Sequence, residues 1–277
     1  MNHGLHHATR PPSLQIEFPV MKAISRAILI CLLPLSSLTA QTEEAPTKDI
    51  PAFQQEFLNL PKEERDEFRE LVGEAQRLFN QKRIFETIEV TQKAEKIFER
   101  SPDLLNVQGA CQVEFRNFDR AMEYFKKADK LAPGQPTILF NIAELNFVTK
   151  DWAAAETSLN ALLDAAGEDV SGPQLQMSRL IEFKLLLSKL KLGKTEEAKK
   201  LAEKYDYLDD SPFPYYAESA IAFSNGEDVT AEAAMARAAR IFRDPSVLSP
   251  WQDTMIEFGY IKGFFGGEEG VVTPAAE

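Results

Sequence analysis

Small and apolar positions recur along residues 102 to 169 with an offset of 34 residues. Gly109 is matched by Ala143, Phe118 by Trp152, Ala121 by Ala155, Phe125 by Leu159, Ala128 by Leu162 and Pro133 by Gly167. A fixed period of that size marks a stacked array of small structural units, not a single folded core. Ala, Glu, Lys, Leu and Phe abound at helical spacing, and no run of alternating β-branched residues interrupts them. Each copy therefore predicts a helix, a turn and a second helix. Ile181, Leu185 and Leu186, and further on Ile221 and Phe223, lie on segments with no interior glycine or proline, which extends the all-α reading beyond the two clear copies.

The residue types fit that geometry. Gly109, Ala121, Ala143 and Ala155 are small where two helix backbones must approach, and a bulky side chain there would wedge the pair apart. Phe118, Trp152, Phe125 and Leu159 are large where neighbouring units meet and must supply most of the apolar burial. Pro133 follows the second helix of its copy, which it cannot continue. The stretch from Gly109 to Pro133 resembles the tetratricopeptide repeat, whose two-helix units stack into a superhelix. The resemblance implies an all-α, tetratricopeptide-like α-α solenoid.

Looser copies flank these two. Gly193 and Ala198 repeat the interhelical glycine and the small residue five positions on, as do Gly226 and Ala231, followed by Met235 and Ala238. The interval from Ala155 to Ala198 exceeds one period, and the excess is expected in Gly167 to Pro173 and in a long first helix over about Gln174 to Lys191. Upstream, Glu67 to Arg100 reads as a further unit, with Val90 and Ala94 standing where alanine and an aromatic are expected. The expected organisation is five units over residues 67–245, a capping helix over 246–264 near Trp251, a polar linker and helix over 41–66, and a disordered acidic tail over 265–277.

Charge and composition narrow the function. Met21 to Arg26 is short and basic, Ala27 to Leu35 is apolar, and Ser37 to Ala40 is built of mainly small residues. That layout predicts a secretory signal peptide over 21–40, with residues 1–20 an upstream mis-start. The apolar run is too short to span a bilayer, and Leu29-Ile30 before Cys31 does not suit lipid attachment. Export to a bacterial periplasm or envelope is the expectation. Removing the leader would take the net charge from −12 to −14, all three histidines would go, and Cys111 would be the sole cysteine. Histidine-based nucleophile systems and histidine-ligated metals are then excluded, and no disulfide is possible within the chain. No glycine-rich phosphate loop is present, so no cofactor is expected. The net charge disfavours nucleic acid, because Lys126-Lys127 and Lys199-Lys200 are interleaved with acids. Glu196-Glu197 and Asp209-Asp210 leave acid-based glycan hydrolysis as a remote alternative, with helix-end and solvated-surface roles the better account. The sequence reads as non-enzymatic.

A partner-binding role is what the resemblance implies. In the family, the first helix of each unit lines the concave face. Carried over residue by residue, the inward positions include Asn106 and Val113 in one unit and Phe140, Glu144 and Phe147 in the next. Phe183 in the fourth unit and Tyr216 and Phe223 in the fifth follow less closely. The family's clamp for acidic peptide termini uses Lys, Asn and Arg at these places, and this chain carries others. The expected groove is apolar with an acidic rim, suited to an apolar or amphipathic protein segment, and the acidic surface to one of basic character. The alternative is that the chain covers these aromatics itself, by Ile50 to Leu60 or by the Trp251 helix. A structural subunit of an outer-membrane or secretion assembly stands beside the scaffold reading.

Overall fold

The structure is a computed structural model that describes residues 50–166 and 172–262. The signal-peptide stretch, residues 41–49 of the linker, the loop after the third unit and the tail after Lys262 lie outside the described residues. The described residues form helices and turns alone. The short α1 (Ala52–Leu58) precedes five pairs: α2 (Lys62–Asn80) with α3 (Ile84–Ile97), α4 (Pro102–Glu114) with α5 (Phe118–Leu131), α6 (Pro136–Val148) with α7 (Trp152–Ala166), α8 (Pro173–Lys191) with α9 (Thr195–Ala202), and α10 (Phe213–Ser224) with α11 (Asp228–Ile241). α12 (Pro245–Phe258) ends the described chain. Within the five pairs each helix packs mainly on its neighbours in sequence, the arrangement of an α-solenoid.

One turn geometry joins the helices of all five pairs. Lys82, Arg116 and Lys150 lie at 34-residue intervals and adopt φ of 61°, 58° and 63°, and Gly193 and Gly226 take the same left-handed role at 73° and 78°. The next amide donates back five residues: Arg83 to the Leu78 carbonyl at 3.0 Å, Asn117 to Gln112 at 2.9 Å, Asp151 to Asn146 at 3.0 Å, Lys194 to Lys189 at 2.9 Å and Glu227 to Ala222 at 2.9 Å. This Schellman closure satisfies carbonyls that the ending helix would otherwise orphan. Glycine is therefore favoured at the turn but not required.

Behind each turn a small residue lets the helices close. Ala121, Ala155, Ala198 and Ala231 are fully buried at this position, and Thr87 takes it in the first pair. That corrects the register of the first unit. Thr87 and Thr91, not Val90 and Ala94, stand opposite Ala121 and Phe125, and two threonines disguised the repeat. Gly109 is explained by its neighbour: a Cβ there would stand 2.5 Å from the fully buried Phe125 ring.

Two further differences concern the C-terminal half. α9 has only eight residues, and the irregular segment after it is held by side chains of α8. Arg179 donates to Asp209 at 3.1 Å and stacks over the Tyr205 ring at 3.5 Å, while buried Glu182 accepts from the Tyr205 hydroxyl at 2.8 Å and from Lys204. α12 starts at Pro245, ahead of Trp251, and ends at left-handed Gly259. It does not merely close the end of the stack. Trp251, Met255 and Phe258 turn back into the array and join α6, α7, α8 and α10 in one large core, whereas the N-terminal units hold several small separate clusters.

Candidate partner-binding face

Six of the eight expected groove residues converge in the C-terminal half, where α12 and Tyr260 beyond it pack among them. The Phe147 ring meets Trp152 at 5.5 Å and Phe258 at 6.3 Å, and Phe183 meets Tyr216 at 6.0 Å and Trp251 at 5.3 Å. Phe140 is buried in the same core, and half-buried Phe223 stacks on Tyr260 at 5.2 Å. Burial pushes the Tyr216 hydroxyl up to about 12. Glu144 is not a rim residue: it is buried and accepts from Lys184 Nζ at 2.7 Å. Lys184 also lies 3.7 Å from Glu257 on α12 and 4.8 Å above the Phe147 ring. Burial pulls the Lys184 ammonium down, but Glu144 and Glu257 outweigh it and hold the pKa above the usual lysine value. Burial, with Glu144 and Asp253 nearby, pushes the Glu257 carboxyl up against the pull of Lys184.

The other two candidates lie elsewhere. Val113 is buried with Ala121, Phe125 and Leu145, and Asn106 accepts from Asn141 Nδ2 at 2.8 Å in a buried contact between α4 and α6. As an open aromatic groove the expectation is corrected: seven of the eight side chains are buried. The covering element is the Trp251 helix. Ile50 to Leu60 instead serves the N-terminal end, where Phe57 packs on Phe68 at 5.3 Å and on Phe98 at 5.4 Å. Helical spacing is identical whether a stripe faces a ligand or the chain's own last helix, so the pattern could not separate the two.

Among the described residues a groove stays open, on the inner face of α2. It encloses about 1270 Å³ between α1, α2, the start of α4 and the turn before α6. Its wall includes Phe57, Phe68, Val72 and Phe98, and Arg69, Gly73 and Arg77 run along α2 beside them. Arg69 crosses the Phe57 ring at 5.3 Å. A Cβ added at Gly73 would meet nothing within 4 Å, so no packing inside the chain asks for glycine there. The available signal in the sequence was that glycine, alone within a nineteen-residue helix, where it costs about 1 kcal/mol relative to alanine.

Cys111, Glu197 and Asp209, considered for chemistry, have structural surroundings instead. Glu197 accepts from Lys189 at 2.6 Å, which holds its carboxyl below the usual range, opposite to the shift a general acid needs. Asp209 is tied to Arg179 and Ser211. Cys111 is fully buried, and desolvation pushes its thiol up to about 12, the reverse of an activated nucleophile. No described helix is long and apolar enough to cross a membrane.

Residues 112–176 match the family model of the tetratricopeptide repeat, a span from the end of α4 to the first turn of α8. No curated protein matches the chain.

Proposed function

We propose that this tetratricopeptide repeat protein is an exported interaction scaffold whose inner face, at its N-terminal end, receives a segment of a partner protein. Tetratricopeptide repeats mediate protein–protein interaction. The observation that carries the reading is the contrast within one concave face: α12 fills the C-terminal half, and the α2 groove stays open at about 1270 Å³. Export rests on the layout from Met21 to Ala40, which points to a bacterial periplasm or envelope as the working compartment.

Gly73→Trp tests the groove. It fills the groove floor from a position with free space, and any residue other than proline improves on glycine in a helix. Partner capture from envelope extract by the full chain is expected to be lost while the melting temperature holds or rises. Capture unchanged by Gly73→Trp removes the α2 face from consideration.

A second reading, a structural subunit of an outer-membrane or secretion assembly, draws on another surface. Phe85 is 74% exposed and Phe115 45%, and their rings meet at 5.6 Å on the turn edge of the first two units. Several subunits co-purifying in fixed ratio, with loss on Phe85→Ser, would favour it over a single loosely held partner.

A further inference from the structure

The α2 groove has a chemical polarity of its own. Arg69, Gly73 and Arg77 follow one another at four-residue spacing and so lie on one face of the helix. The two arginines stand about 12 Å apart along the axis, from the helical rise per residue. Both are exposed, at 57% and 61% of their side chains. Their ionic partners are the exposed neighbours Asp66 at 3.0 Å and Glu74 at 3.8 Å on the same helix, contacts of a few tenths of a kcal/mol that an incoming carboxylate can replace. Among the described residues, Asp103 is the one carboxylate lining the groove, and its Oδ1 accepts from Gln135 at 3.4 Å. In a chain of net charge −12 the groove lining carries two arginines against one carboxylate, beside an apolar wall. Between the arginines the floor is bare backbone at Gly73.

We propose that the groove takes an extended partner segment with two acidic side chains about four residues apart and an apolar residue between them. The proposal rests on the scaffold reading and names the partner's chemistry. An extended chain rises about 3.3 Å per residue, so a four-residue step spans about 13 Å and matches the separation of Arg69 and Arg77. Residues two apart in such a chain point the same way, which places the central apolar side chain against Val72 and the main chain over Gly73. Guanidinium groups bind carboxylates in paired hydrogen bonds, so the contact selects both charge and spacing. This partner is acidic, where the net charge alone pointed to a basic one.

The test uses the full chain and three nonapeptide probes carrying one neutral dye. The first has glutamate at its third and seventh positions, leucine at the fifth and serine elsewhere. The second replaces both glutamates by lysine, and the third places the glutamates side by side. Fluorescence anisotropy at low salt is expected to show the first probe binding at least about tenfold tighter than the other two, a difference of about 1.4 kcal/mol. The net charge favours the lysine probe everywhere else, so a glutamate preference can arise only at a local cationic site. Gly73→Trp is expected to abolish binding, and Arg69→Glu with Arg77→Glu to reverse the preference. Equal binding of the three probes, a preference for lysine, or a glutamate preference that survives Gly73→Trp overturns the proposal. If the glutamate probe fails while Gly73→Trp still abolishes capture, the scaffold reading stands and the partner chemistry falls. If Gly73→Trp alters neither assay, both fall. If the probe binds only after residues 41–49 are deleted, the occupant is the chain's own acidic stretch with Glu43, Glu44 and Asp49, and a partner segment is overturned.

Discussion

Gly109 and Phe125 form a matched pair of volumes, and the same two repeat positions are filled differently elsewhere. They hold Ala75 and Thr91 in the first pair of helices, and Ala143 and Leu159 in the third. A smaller partner on the second helix thus accompanies a methyl group on the first. Gly109→Ala is expected to destabilise by about 1–3 kcal/mol through overpacking, because the enclosed Phe125 ring has nowhere to retreat. Adding Phe125→Leu to Gly109→Ala should recover most of that loss by recreating the Ala143–Leu159 combination. Thermal denaturation of both variants decides it: a double mutant no better than the single one would mean the two positions are not coupled. Gly73 shows what the same residue type looks like without such a partner.

Element by element, the sequence was legible where packing is repetitive and silent where it is not. The second and third pairs declared themselves through Gly109, Phe118, Ala121 and Phe125 and their counterparts, because each residue there answers to a neighbouring helix of the same kind. Thr87 and Thr91 hid the register of the first pair. The end of α9 depends on Arg179 meeting Asp209 and Tyr205 and on Glu182 meeting Lys204 and Tyr205, side-chain contacts that no periodicity encodes. α12 was visible as a helix, but its docking against Lys184 was not. That docking carries a pH dependence. Burial raises the Glu257 carboxyl above its ordinary value of 4.5, with Glu144 and Asp253 adding to it and Lys184 opposing. A raised folded-state pKa contributes stability that is complete below about pH 4.5 and is lost as pH rises through the folded value. Glu257→Gln is therefore expected to raise the melting temperature near pH 7.5 and to flatten the gain that wild type shows on acidification toward pH 5. A lower melting temperature for the variant at pH 7.5 would mean that the 3.7 Å approach to Lys184 is net attractive and outweighs the cost of burial.

At the scale of the molecule, the array is two regimes on one superhelix. The N-terminal pairs meet through small, separate clusters, so each depends on its immediate neighbours. The C-terminal pairs share one core because α12 inserts Trp251, Met255 and Phe258 across several of them at once. Full burial of a large apolar side chain is worth about 1.5–3 kcal/mol, so these three together supply on the order of 5–9 kcal/mol, comparable to the whole stability of an ordinary domain. Truncation before Pro245 should then act on the array unevenly. Amides of α8, α10 and α11 are expected to lose protection from hydrogen exchange, while those of α2 to α5 keep theirs, since no α12 side chain packs in the clusters that hold them. The α2 groove would survive that truncation. Loss of protection spread evenly over all five pairs would show instead that the solenoid unfolds as one unit, and that the open and the filled halves of its inner face are energetically one surface.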